Sequence, residues 1–222
     1  MTSSNCPACG APVEFRSAAP FVVCSHCQSL LVRRDASLES IGRVAEVPDD
    51  LSPLQLSTQG YFETRHFSLV GRIRKVWSEG SWNEWCASFD GGELGWLAEA
   101  QGDLVMTFAK ALAALAAEPP PAALAGAAPG TVVPIEGRPF TISDVKQVHC
   151  VGAQGELGES AIEPACTSID LRGPRLAFAT LEIAGQDVKL FVGRFVEFGE
   201  CRFTGLRALS GWSPESAAGG SR

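Results

Sequence analysis

Residues 6–27 read CPACGAPVEFRSAAPFVVCSHC, with Cys6 and Cys9 at one end and Cys24 and Cys27 at the other. The two-residue spacing lets both thiolates of a pair reach one ion, and Zn²⁺ prefers four ligands in a tetrahedron. Two such pairs separated by 14 residues are typical of a zinc ribbon. We therefore predict a structural Zn²⁺ bound by these four cysteines, with a short hairpin between the pairs.

Other uses of these cysteines have less support in the sequence. A disulfide would need an oxidising compartment, and a redox CxxC is expected within a thioredoxin-like βαβ unit, which the surrounding pattern does not predict. His26 lies inside the second pair and could replace a thiolate, although four sulfurs already satisfy the metal. A catalytic zinc keeps one position open, so four thiolates favour a structural metal.

The composition narrows the class of protein. The chain has 222 residues, of which 45% are hydrophobic and 19% charged, as in globular domains. Its net charge of −7 and pI of about 5.0 argue against a nucleic-acid-binding protein, whose binding surface should be basic. The sequence contains neither a long apolar span nor a hydrophobic signal core at the N-terminus. We therefore expect a cytoplasmic protein without a membrane span.

Beyond residue 50 the chain alternates apolar and polar side chains, as half-buried β-strands do. Residues 67–74 and 85–90 follow a period of two, and Asp90-Gly91-Gly92 is a strong turn signal. Turn signals recur at intervals of about 8–12 residues, which favours small antiparallel barrels or sandwiches. We predict a mainly β protein, with the ribbon followed by two small antiparallel barrel-like or sandwich-like units.

The distribution of prolines and alanines suggests where these units begin and end. Residues 109–117 are rich in Ala and Leu and predict a helix, which the prolines at 119–121 cannot continue. The predicted division is a zinc ribbon at 1–35, a first β domain at 51–117, a Pro/Ala linker at 118–130, a second β domain at 131–209 and a flexible tail at 210–222.

Short matches between the two halves predict a tandem duplication. The matched pairs are 67–69 with 140–142, 86–90 with 166–170, and 96–102 with 179–185. Their offsets of 73, 80 and 83 drift slowly, as loop insertions would produce. Shared strand composition is the alternative explanation for matches this short.

Several of these segments also resemble a known family, the bacterial domain-of-unknown-function family 4178. With the ribbon, the resemblance covers most of residues 6–207. Cys86 departs from the expected aromatic residue, and the second half lacks the tryptophan pair of the first. The resemblance implies no assigned activity, and members are often encoded beside polyamine-synthase-like and membrane-stress proteins. The segments that carry it are 67–73, 82–85, 89–91 and 96–102, followed by 155–157, 170–173, 178–180 and 192–194.

One group of side chains in the first half is a candidate ligand-binding surface, formed by Trp82, Glu84, Asp90 and Glu93. Aromatic faces and carboxylates both attract cations, so this surface could bind a polyamine or a cationic peptide. The alternative is that the neighbouring tryptophans are core and the acids form a solvated rim. If the surface exists, Trp82 should be partly exposed, whereas Trp85, in phase with the buried positions of its strand, should be buried.

Catalytic signals are weak in this sequence. His149 and Cys150 are adjacent, but neighbouring side chains of a strand point to opposite faces. We interpret Cys86, Cys166 and Cys201 as small apolar core residues, and we predict no catalytic residue. The function expected from the sequence is a non-enzymatic binding or assembly module that contacts a protein partner. The alternative is an accessory or enzymatic protein that handles a cationic small molecule such as a polyamine.

Overall fold

The computed structural model describes residues 2–34, 37–48, 50–115, 120–158 and 165–210. The protein is mainly β: about 60% of the described residues lie in strands, which form antiparallel sheets. The predicted tail lies outside the described residues from position 211 onward. The elements in the described ranges are β1 (Thr2–Asn5), β2 (Pro12–Phe15), β3 (Phe21–Val23), β4 (Ser29–Arg34), β5 (Ser37–Arg43), β6 (Gln59–Phe62), β7 (Arg65–Trp77), β8 (Gly80–Phe89), β9 (Leu94–Ala100), β10 (Asp103–Lys110), the 3₁₀ helices η1 (Leu112–Ala114) and η2 (Pro121–Gly126), β11 (Val132–Ile135), β12 (Arg138–Leu157), β13 (Ala165–Arg172), β14 (Ala177–Ala184) and β15 (Asp187–Val196).

Two four-stranded meanders make up the body of the protein. β7–β10 form the first and β12–β15 the second, each with antiparallel neighbours. β10 pairs with β15, and the C-terminal part of β12 pairs with β7. These two seams join the meanders into a closed ring of eight hydrogen-bonded strands. The two predicted β units are therefore continuous with each other through backbone hydrogen bonds.

The strand registers of the two halves support the predicted duplication. The hairpin pair Phe62↔Arg65 corresponds to Ile135↔Arg138, with the predicted offset of 73. The strand register also shifts at corresponding positions, between Leu69 and Gly71 in β7 and between Ile142 and Asp144 in β12. In the later strands the register gives an offset of 84, as between Ala100 and Ala184, instead of 80 and 83. The sequence matches there are out of register: the match at offset 83 is off by one residue, which would put its side chains on the opposite face, and the match at offset 80 is off by four residues.

The N-terminal ribbon is attached to the ring by backbone pairing. β1 and β2 form a small two-stranded sheet, while β3, β4 and β5 extend the main sheet. β3 pairs with the end of β12, where Val22 lies opposite Glu156 and Phe21 opposite Leu157. At the same crossing, a Cβ on Gly71 would lie 1.8 Å from the carbonyl oxygen of Glu156, so only glycine fits.

Apolar side chains form a core within each half and another between the ring and the ribbon. Trp85 is buried in the first half, and Phe140 is buried in the second. A third cluster joins Val23 and Leu30 of the ribbon to Trp96 of the ring. The ribbon therefore shares apolar core with the ring instead of standing apart from it.

The Ala-rich segment before the prolines differs from its prediction. The predicted helix at 109–117 is wrong over its described residues, because β10 continues to Lys110 and only η1 follows. Pairing with β15 outweighs the modest helix propensity of alanine. Within the predicted linker, η2 places Leu124 in the core of the second half. Among the described residues, no helix is long and apolar enough to cross a membrane.

Candidate functional site

The four ribbon cysteines converge on one point. The Sγ atoms of Cys6 and Cys27 lie 3.7 Å apart and those of Cys9 and Cys24 lie 3.8 Å apart, and all four lie within 4.8 Å of one another. Tetrahedral Zn²⁺ with Zn–S bonds of about 2.3 Å requires sulfurs about 3.8 Å apart. The geometry and the donor set therefore fit a metal ion of this kind.

Both cysteine pairs are held by the same backbone turn. Gly10 N–H donates to the carbonyl oxygen of Cys6, and Gln28 N–H donates to that of Cys24. Each turn ends in the left-handed region, with φ of 79° at Gly10 and 59° at Gln28. Glycine adopts this conformation without steric cost, whereas Gln28 accepts it with some strain. The two turns thus present their sulfurs to a common centre from similar loops.

The surroundings of one ligand favour its thiolate form. Ser29 Oγ lies 3.2 Å from Cys27 Sγ. Hydrogen bonds from the Ser29 side chain and backbone lower the pKa of Cys27 to about 6. Because the thiolate is the metal-binding form, this environment suits a ligand. His26 is exposed and does not belong to the cysteine cluster, as expected for a loop residue that does not bind the metal.

A buried carboxylate fixes the ribbon hairpin on the ring, and the sequence analysis missed it. Glu156 is only 4% exposed, and its Oε1 accepts from the Arg16 N–H at 2.7 Å. Its Oε2 accepts from the Ser17 N–H at 2.9 Å and from the Ser17 hydroxyl at 2.6 Å. Glu156 is the second-last residue of β12, beside the buried Leu157, and no local pattern marks it as an anchor. Its partners lie about 140 residues away and could not be identified from spacing.

The structure divides the predicted cation surface into two places. Trp82 and Glu84 lie together on one face of β8, and the Trp82 Nε1–H donates to Glu84 Oε1 at 3.0 Å. Asp90 and Glu93 lie at the β8–β9 turn, where Asp90 contacts His66 Nδ1 at 2.8 Å and Glu93 pairs with Arg65. The structure therefore brings together the first two of the four predicted residues and places the other two elsewhere.

The burial of the two tryptophans of β8 agrees with the sequence prediction. Trp82 is half-buried, whereas Trp85 has no exposed surface. Trp85 faces the core of the first half, and its Nε1–H donates to Glu99 at 3.1 Å. Their positions on opposite faces of β8 follow from strand geometry.

An ion-paired triad crosses the inside of the ring. Lys75 of β7 is 3% exposed and lies 3.0 Å from Glu84 Oε2 of the neighbouring strand β8. It also pairs with Glu182 of β14, in the other half of the ring. The sequence analysis missed this triad because Lys75 and Glu182 are 107 residues apart. The only local signal was a lysine in phase with the buried positions of its strand.

Burial and neighbouring charges shift the pKa values of the triad residues in opposite directions. Burial alone would lower the pKa of Lys75, but the carboxylates of Glu182 and Glu84 raise it well above its usual value. Burial raises the pKa of Glu182 above its usual value, despite the opposing effect of Lys75. Two carboxylates thus share one ammonium group, and the triad is net negative when all three groups are ionised.

The triad borders a cleft inside the ring, which we call the ring cleft. Its volume is about 980 Å³, and all eight strands of the ring contribute to its lining. Six acidic and two basic residues line it among those described. The acidic residues are Glu79, Glu84, Asp103, Asp144, Asp170 and Glu182, the basic ones are Lys146 and Arg172, and the aromatic ones are Trp77, Trp82, Trp96, Phe178, Phe191 and Phe195.

Cysteines outside the ribbon have environments that suit core residues. Burial raises the pKa of Cys86 and of Cys201 to about 12, which keeps both as thiols. Cys150 is half-buried, and burial also raises its pKa. Its neighbour His149 is exposed. High thiol pKa values oppose nucleophilic chemistry at these positions.

Comparisons with known proteins do not identify a family for this chain. No protein-family model matches the chain, and neither does a curated protein or a solved structure. The resemblance to family 4178 therefore remains a hypothesis that rests on the sequence segments named above. Function must be inferred from the cysteine cluster, from the contact between ribbon and ring, and from the ring cleft.

Proposed function

We propose that this protein is a non-enzymatic binding module in which a structural Zn²⁺ holds the ribbon in place. The observation that carries the proposal is the tetrahedral spacing of four sulfurs on a ribbon anchored to the ring by Glu156. Four thiolates would leave the metal no position for substrate or water, so its contribution is to folding. Zinc binding and ribbon folding should then be a single event.

The ribbon also offers a surface for a protein partner. β5 lies at one end of the main sheet, and most of its side chains are exposed. Ile41, in this strand, is 48% exposed. The edge of a sheet can accept a strand from another chain, which supports a protein partner bound along β5. With a net charge of −7, the chain favours a basic partner.

Elemental analysis of matched cysteine variants tests the metal. Wild type and Cys150→Ser should each hold one zinc per chain, whereas Cys9→Ser should lose it, although both variants lack one thiol. Cys9→Ser should also lose the ordered ribbon while the ring stays folded, as measured by amide hydrogen exchange. A reduced wild-type protein without metal, or equal zinc in both variants, would contradict the proposal.

A second pair of variants tests the partner surface. Ile41→Lys places a charge on β5, while Leu51→Lys makes the same change at an exposed leucine outside this strand. Proteins captured by the tagged wild-type chain from its own host should be lost with Ile41→Lys and retained with Leu51→Lys. Equal capture by both variants would place the partner surface elsewhere.

A further inference from the structure

A buried cation, the Lys75 ammonium, lies behind the wall of the ring cleft and is held by two carboxylates that line it. The Lys75 ammonium lies between two carboxylates contributed by different halves of the ring. Glu84 uses one oxygen for Lys75 and the other for the Trp82 Nε1–H. A carboxylate offers about four acceptor positions, so these two contacts leave Glu84 able to accept another hydrogen bond. Glu84 is half-buried and lines the cleft.

The aromatic wall of the cleft already contacts cationic groups. Lys146 Nζ lies 5.4 Å from the centre of the Trp77 ring, and the Trp77 and Trp82 rings lie 5.4 Å apart. The Arg172 guanidinium lies 4.7 Å from the centre of the Phe195 ring. Cation–π attraction strengthens as water is excluded, so the same wall suits a ligand that combines positive charge with an apolar body.

The charge and size of the ring cleft define the class of ligand. Six acidic side chains line the described part of the cleft against Lys146 and Arg172, and with Lys75 behind Glu84 and Glu182 the formal balance is still three negative charges, which concentrates cations and repels anions. Its volume of about 980 Å³ is at the upper end of the range for small-molecule sites. The lining comes from inside a closed ring, which is too narrow for a folded partner.

We propose that the ring cleft binds a small organic cation, an amine with an apolar or aromatic body. The ammonium group lies against Glu84, and the body packs on Trp82 and Trp96. The cleft should bind one ligand per chain, because the described part of the ring contains one triad of Lys75, Glu84 and Glu182. The inference rests on the proposed role as a binding module and names the ligand class for it.

Three probes separate the parts of this proposal by isothermal titration calorimetry. 2-Phenylethylamine carries both features, 2-phenylethanol lacks the charge, and spermidine has several charges without an aromatic body. We expect 2-phenylethylamine to bind one per chain and at least about tenfold more tightly than either other probe, because charge-assisted hydrogen bonds and aromatic contact act together. Equal affinity for the alcohol, tighter binding of spermidine, or no saturable binding of the amine overturns the proposal.

Variants then locate the site. Glu84→Gln should weaken the binding of 2-phenylethylamine by about tenfold or more. Glu93→Gln changes a residue at the β8–β9 turn, outside the cleft, and should leave the affinity for the amine unchanged. Trp82→Ala should also weaken the amine, and this test remains available if Glu84→Gln fails to fold. Unchanged affinity in Trp82→Ala refutes the proposed location.

Zinc analysis on the same samples separates the two proposals. Amine binding with zinc absent would contradict the metal proposal alone. Zinc at one per chain without amine binding would contradict the ligand proposal alone. The Ile41→Lys variant should bind the amine normally, because the residue lies in the ribbon and outside the ring cleft.

Discussion

Replacing Glu156 with Gln should release the ribbon hairpin from the ring while the metal stays bound. Gln keeps one oxygen for the Arg16 N–H but places an NH₂ group against the Ser17 N–H, where Glu156 Oε2 accepts at 2.9 Å. A hydrogen bond to a charged group contributes about 1.5–3 kcal/mol, and the change also creates an unfavourable donor–donor contact. We expect the ribbon to open more easily by about 3 kcal/mol, a factor of more than 100 in its opening equilibrium.

Amide hydrogen exchange measures this opening directly, because parts of a protein can open without global unfolding. Exchange at Phe21, which lies opposite Leu157 in the β3–β12 pairing, should accelerate in Glu156→Gln. Glu14→Gln is the matched control, since this exposed ribbon carboxylate pairs weakly with Arg16 at 3.7 Å. The control should cost less than about 0.5 kcal/mol. Equal acceleration in the two variants, or zinc loss in Glu156→Gln alone, would refute the anchoring role.

Three further tests, with five substitutions, address the ring. Lys75→Met leaves the buried Glu182 and the half-buried Glu84 without their cation and should cost about 3–5 kcal/mol at pH 7. Because burial raises the pKa of Glu182, its protonation should restore part of the lost free energy of unfolding as the pH falls to 5. Urea unfolding should therefore show a smaller loss of stability for Lys75→Met at pH 5 than at pH 7. Gly71→Ala drives a Cβ into the Glu156 carbonyl oxygen and should cost about 3 kcal/mol, whereas Gly91→Ala, with open space around it, should leave the melting temperature nearly unchanged. Trp85→Ala should cost about 3–5 kcal/mol through the cavity it leaves, and Trp82→Ala about 1 kcal/mol through one lost aromatic contact. Equal losses in urea unfolding for the two tryptophan variants would contradict the assigned faces.

The cluster of four cysteines was predictable because its signal is local. Each pair of sulfurs is separated by two residues, and the chemistry of zinc fixes what such pairs can do. The strand pattern was predictable for the same reason, since the period of two depends only on neighbouring residues. The helix predicted at 109–117 failed where a local preference competed with pairing to β15, a strand about 80 residues further along the chain.

The ring cleft depends on which strands become neighbours, and no local pattern contains that information. The two halves share their strand registers, but corresponding positions do not carry the same triad residues. By the offsets of 73 and 84, Lys75 corresponds to Val148 and Glu84 to Ser168. Glu182 corresponds in the same way to Ala98. The two halves therefore form a symmetric frame of strands around an asymmetric interior. One charged triad, assembled from both halves, therefore supports the proposal of one ligand per chain, where two equivalent half-sites would otherwise be expected.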